Sequence, residues 1–188
     1  MAGTRRLYAL AVHRGLDKRL LGTPIDPDSG QDRTVELRNC TPWAGGRLKT
    51  RRAHRGAAVD FSEGAHGVIF LRPVLGDVLA EACGRAAQLV PCELAGEEFF
   101  VLNILEQGDC LDEDRSWFQE WKEGDGQPDR VGTIKVLQQI HLLTDRLPES
   151  PIFRLARDLP TVIVDESIKT VMERGRFTGA AFERVTVA

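Results

Sequence analysis

Two stretches of the chain share one grammar, and that grammar limits its fold more than any other feature. They are "GVIFLRPVLGDVLAEACGRAAQLVPCEL" (residues 67–94) and "PTVIVDESIKTVMERGRFTGAAFERV" (residues 160–185). Each reads as a short apolar strand, a short helix, a glycine and a second strand. In the first, Val68–Leu71 is too short an apolar run for a buried helix and reads as a strand. Pro73 suits the first helical position, where its missing N–H costs nothing. Val74, Leu75, Val78, Leu79 and Ala82 then recur at helical spacing, and Gly84 can close the helix with a positive φ. Gln88–Leu94 and Glu98–Leu105 flank "AGE" as a hairpin. In the second, "TVIV" is a strand and Asp165 can cap a helix with Ile168, Val171 and Met172 inward. Gly175 ends that helix, and "GAAFERV" returns as a strand. The match is either an internal duplication or a common supersecondary unit.

These units predict an α+β fold: a mostly antiparallel sheet with two or three short packed helices. A first strand is expected at Arg6–Val12. From Gly22 to Gly67 the pattern dissolves into turn-rich segments ("GTPIDPDSG", "TPWAGG") and the basic run "RLKTRRAHRG". The expected division is therefore a strand and loop-rich basic region over 1–59 and an α+β domain over 60–188. Hydrophobic residues make up 42% of the 188, enough for a proper core.

Charge supports the same division. Residues 1–60 carry 12 Lys and Arg against 6 Asp and Glu, whereas residues 61–188 carry 13 against 22. The second part is acidic, which suits a basic partner and argues against nucleic acid as its direct ligand. The four cysteines, Cys40, Cys83, Cys92 and Cys110, include no C-x-x-C pair. They read as reduced thiols, three of them in apolar surroundings. No apolar run approaches a membrane span, and "LYALAV" is too short for a secretory core. The expected location is the cytoplasm.

The most pointed local feature is the end of "FFVLNILEQGDCLDEDRSW" (Phe99–Trp117), where Asp109, Asp112, Glu113 and Asp114 fall within six residues. Three readings are open: a solvated or capping acidic turn, a partner-binding face, or a metal or catalytic site. Ser116-x-x-Gln119 has capping-box form, which predicts a short helix with Trp117 and Trp121 on one face. The acidic cluster would then precede the helix, where its dipole favours negative charge. The carboxylates lack the alternation and central glycine of a calcium loop.

Elsewhere the chain contains no G-x-S-x-G, no H-E-x-x-H, no Walker loop and no dinucleotide glycine pattern. His13, His54, His66 and His141 have no local metal-ligand partners. Two functional alternatives follow from the residues. One is a metal-dependent or acid/base hydrolase built on Asp109, Asp112 and a distant His. The other is a nucleic-acid-binding module using Arg47–Arg55.

Three stretches together resemble a known family. They are "FFVLNILEQGDCLDEDRS", "SPIFRLARDLPTVIVDESIKTVMERGRFTGAAFERV" and, more weakly, "GVIFLRPVLGDVLAEA". The family is the eleventh numbered immunity-protein family of bacterial polymorphic toxin systems, first catalogued as a domain of unknown function. Its aromatic-rich "yyvLNvl" strand maps to Phe99–Leu105, and its "D-x-LD-x-x-x-S" turn to Asp109, Leu111, Asp112 and Ser116. Its "iFrl" strand maps to Ile152–Leu155 and its "ivse-lk" step to Val162–Lys169. Its "tG-x-x-F-x-x-V" close maps to Thr178, Gly179, Phe182 and Val185. The chain departs from the pattern at "VIFLRP", where a polar cap such as Ser is expected before the helix.

The resemblance covers about residues 60–188. It implies a small cytosolic inhibitor, made beside a toxin and protecting its producer by binding it. It implies no catalytic residue, no cofactor and no metal. Combined with the acidic balance, it makes Asp109, Glu113 and Asp114 the candidate toxin-binding residues and a basic toxin domain the expected partner, with nucleases among the candidates. Asp112 and Ser116 are expected to hold the turn by local hydrogen bonds. Gly179 is expected to occupy a position of positive φ or close backbone approach.

Overall fold

The structure, a computed structural model, describes residues 5–13 and 20–188. Its elements in chain order are β1 (Leu7–Val12), β2 (Leu20–Leu21), α1 (Thr34–Arg38), β3 (Leu48–Lys49), β4 (Arg52–His54), β5 (Phe61–Glu63), β6 (Ile69–Leu71) and α2 (Pro73–Cys83). They continue with β7 (Ala87–Leu94), β8 (Glu97–Ile104), β9 (Gln107–Gly108), β10 (Trp117–Glu120), β11 (Ile134–Gln138) and β12 (His141–Leu142). The last are β13 (Ile152–Leu155), β14 (Asp158–Asp165), α3 (Glu166–Arg174), β15 (Ala180–Arg184) and β16 (Thr186–Val187). The class is α+β, with mostly antiparallel sheets.

Two five-stranded sheets dominate, in the orders β3-β7-β8-β6-β5 and β15-β1-β14-β13-β9. Pairing within them is antiparallel except at β3–β7 and β9–β13. The repeated grammar has a topological counterpart. In the first sheet β5 pairs with β6, α2 follows, and β7 lies two places from β6 with β8 between them. In the second, β13 pairs with β14, α3 follows, and β15 lies two places from β14 with β1 between them. The four-strand arrangement is the same, but the intervening strand is the next in sequence in one unit and the N-terminal strand in the other.

Strand alternation assigns each face of these sheets to a different core. Ile69, Leu71, Leu102 and Ile104 of the first sheet and Tyr8, Leu10, Val162 and Val164 of the second enter one central cluster. Leu75, Leu79 and Cys83 of α2 and Ile168 and Met172 of α3 join the same cluster, so both helices are packed between the sheets. The other face of the first sheet, with Phe70, Val90, Phe99 and Val101, is covered by Leu21, Leu37 and Trp43. The other face of the second, with Leu7, Phe153, Leu155 and Ile163, is covered by Cys110, Leu111, Leu142 and Val185. Ile134 and Leu137 of β11 pack against that third cluster. The hairpin β10–β11 is thereby held over the second sheet.

Several local expectations are met with identifiable chemistry. Ala95 and Gly96 join β7 to β8 with φ of +49° and +86°, the two positive values that a type I′ hairpin requires. Asp165 caps α3, its Oδ1 accepting from Ser167 N at 3.0 Å and Ile168 N at 3.3 Å. Arg72, in place of a polar cap, makes no side-chain bond to α2, which relies on Pro73 in its first turn. Other expectations are corrected. Val74 is 67% exposed, because the buried stripe of α2 runs through Leu75, Gly76, Leu79 and Cys83. The chain turns between β11 and β12 at Gln139, where φ is +47°.

The helix expected after Ser116 is a strand. Trp117, Phe118, Gln119 and Glu120 pair antiparallel with residues of β11. The Ser116 hydroxyl accepts from His141 N at 3.0 Å, so the capping-box hydroxyl is spent across the chain. Phe118 is half-buried while Trp117 is exposed, an alternation of period two that a helix does not give.

Candidate functional site

Residues 106–125 carry eight acidic and two basic side chains, the densest charge imbalance around the turn. The backbone places this segment between two fixed points. Leu111 bridges Leu142, and Asp112 N donates to His141 O at 2.9 Å. Ser116 N donates to Asp112 O at 2.9 Å, and Arg115 N donates to Asp112 Oδ1 at 3.2 Å. Asp112 and Ser116 thus bond within the turn and to β12, while Asp109, Glu113 and Asp114 are exposed.

The three exposed carboxylates differ. Glu113 Oε1 accepts from Arg157 Nε at 3.0 Å. The same guanidinium donates to Gly132 O at 2.9 Å and to Glu120 Oε1. Burial works against this charge, but the Glu113 and Glu120 carboxylates outweigh it and raise the Arg157 pKa. Arg157, in the β13–β14 turn, therefore ties the acidic turn to both strands of the β10–β11 hairpin at its loop end. Asp109 and Asp114 have no hydrogen-bond or ion-pair partner among the described residues and face solvent. Sequence reasoning missed Arg157, because nothing local marks a residue whose partners lie 25 to 44 positions away.

The family-motif residues occupy structural junctions. Asn103, fully buried, donates to Thr41 O at 2.9 Å and Gln88 Oε1 at 3.2 Å. Gln88 in turn brackets Trp43, accepting from its N and donating to its O. Thr178 N and Oγ1 donate to Asp60 Oδ2 at 2.8 and 2.7 Å, joining the two sheets. Gly179 has φ of +100°, and a Cβ there would lie 2.1 Å from Phe61 O. Phe182 stacks edge-on against Tyr8, and Val185 is buried in the third cluster.

Of the residues of the enzymatic alternative, Asp112 meets His141 through the main chain, its N donating to His141 O at 2.9 Å. The Ser116 hydroxyl meets the main chain of His141 rather than its imidazole. A groove of about 490 Å³ is lined by His141 and Glu183 but by neither Asp109 nor Asp112. Among the described residues, no three His, Cys, Asp or Glu side chains are grouped so as to hold a metal. Nor is the basic run uniformly basic: Arg47 pairs with Glu98 at 3.1 Å and Arg52 with Glu97 at 4.0 Å, at the tip of the β7–β8 hairpin.

The four thiols are free. Burial pushes Cys83 and Cys92 up to about 12 and Cys110 up to about 11, so these three are poor nucleophiles. No helix among the described residues is long and apolar enough to cross a membrane.

A comparison with curated proteins finds no match. A comparison with protein families matches the immunity protein family (Imm11) over residues 48–187, which takes in both sheets' hairpins, α2, α3 and the acidic turn. With most of its length matched, the chain belongs to the Imm11 immunity protein family.

Proposed function

We propose that this chain protects a bacterial cell from a cognate toxin by binding the toxin in the cytoplasm, without catalysis of its own. Membership of the immunity family carries the reading. The partner is a toxin domain with a basic surface, as enzymes that grip nucleic acid have. Its contact is the acidic turn. Asp109 and Asp114 present free carboxylates, and Glu113 adds charge while Arg157 holds it in place. Charge complementarity of this kind speeds encounter and fixes orientation.

Co-expression tests the reading. The chain should restore growth of cells producing the C-terminal domain encoded by the neighbouring reading frame. Asp109→Lys with Asp114→Lys should stay folded and slow association, by a factor that shrinks in high salt. Unprotected growth with the wild-type chain would overturn the reading. An unchanged association rate of the double variant would remove the turn from the contact.

A further inference from the structure

We infer that the outward face of the β10–β11 hairpin is the docking face for the basic toxin domain, with Trp117 as its apolar anchor. The inference rests on the immunity reading and specifies its surface. Trp117 lies opposite Gln138 and Gln119 opposite Val136, so these four side chains share one face of the hairpin. Trp117 and Val136 are diagonal neighbours there, about 7–8 Å apart by strand geometry. Trp117 is 43% exposed, Val136 36% and Val131, in the connecting loop, 44%. Among the described residues, the exposed large apolar side chains outside this hairpin are Leu20, Val35 and Val74, all aliphatic and on separate elements. Single exposed aliphatics are ordinary, whereas an exposed aromatic diagonal to an exposed valine on one strand face suits a contact.

The other face of the hairpin explains why Trp117 is not simply misplaced core. Ile134 and Leu137 already pack against the third cluster, so the hairpin is anchored by its inner side. The docking face is also held rigid. Arg157 bonds Glu120 at the end of β10, the Gly132 carbonyl just before β11, and Glu113 in the turn that leads into β10. A patch fixed in this way loses little entropy on binding.

Charge selects the occupant. The acidic turn leads directly into Trp117, with the exposed Glu113 and Asp114 four and three residues before it. An aromatic anchor with a polar rim is the arrangement of a binding hot spot. A second copy of the chain would bring like charges together at that rim, whereas a basic domain with an apolar slot for the indole would satisfy both parts.

The test uses the full chain and the catalytically inactivated C-terminal domain from the neighbouring reading frame, with dissociation followed by surface plasmon resonance. Trp117→Ala should weaken binding by at least about 30-fold, mainly through faster dissociation, and the loss should persist in high salt. Val136→Lys, a second probe of the same face, should weaken it by at least about 10-fold while leaving the melting temperature within about 2 °C. Binding of both folded variants within twofold of wild type would overturn the docking face while leaving the immunity reading standing. Failure of the wild-type chain to bind would overturn the immunity reading and the docking face with it.

Discussion

Arg157 Nε donates to Glu113 Oε1 at 3.0 Å, and with that one bond the β13–β14 turn fixes the acidic turn 44 residues earlier in the chain. The remaining donors of the guanidinium reach Glu120 and Gly132. Because Arg157 and Glu113 are partly exposed, at 30% and 48%, their ion pair contributes little by itself. The bond to the Gly132 carbonyl and the shared geometry matter more. Arg157→Ala should lower stability by about 0.5–1.5 kcal/mol. Hydrogen exchange should show the larger effect, with protection lost locally over 113–120 and 132–136 and retained in β14. Uniform protection in the variant would show that the hairpin is held by Ile134 and Leu137 alone.

Gly179 stands where the two sheets touch. A Cβ would meet Phe61 O at 2.1 Å and Val59 at 3.0 Å, and φ is +100°. Both the backbone conformation and the missing side chain are needed, since Phe61 N is itself bonded to Thr178 O at 2.9 Å. Gly179→Ala should therefore cost about 2–4 kcal/mol. Thermal or urea unfolding measures it, and a midpoint equal to wild type would mean that the junction can open without loss.

Asn103 is a buried polar residue whose amide bonds Thr41 and Gln88. Removing it leaves a carbonyl without its donor and loosens Gln88 from Trp43. Asn103→Ala should cost about 1–3 kcal/mol. The Trp43 indole should also become more mobile, which fluorescence anisotropy and limited proteolysis near residues 41–46 would detect. A stability loss without any change near Trp43 would point to cavity formation alone.

The parts of the fold that depend on neighbours in sequence were legible in the residues. The β7–β8 hairpin, the capped α3 and the strands on either side of α2 and α3 follow from spacing, caps and turn residues, whereas α1 does not. Position in the sheet was not. Leu7–Leu10 pairs with Val162–Asp165, and no local property of "LYAL" tells it to lie between β14 and β15. The Ser116 pattern shows the same limit in reverse: a valid local capping signal lost to pairing with β11 and to the His141 main chain. The acidic turn was visible as charge. Its division into two free carboxylates and one held by Arg157 depends on a contact that only the fold creates.

Acid should weaken the region around α1 in a defined window. The Arg33 guanidinium, then the Ser29 hydroxyl and the Asp28 amide, hold the Asp26 carboxyl at about 2, below its ordinary 3.8. Folded pKa below unfolded pKa means that the stabilisation is complete above about pH 4. It disappears as the pH falls toward 2. Asp26→Asn should lower stability at pH 7 and flatten the stability profile in that window. An identical acid limb in the variant would show that other carboxylates govern it.

The most direct test of toxin neutralisation is a calorimetric titration of the purified chain with the inactivated C-terminal domain encoded beside it. The account predicts a saturable, specific complex with a dissociation constant of about 10 nM or tighter, weakening as salt is raised. No detectable binding at about 10 μM of each protein would contradict it.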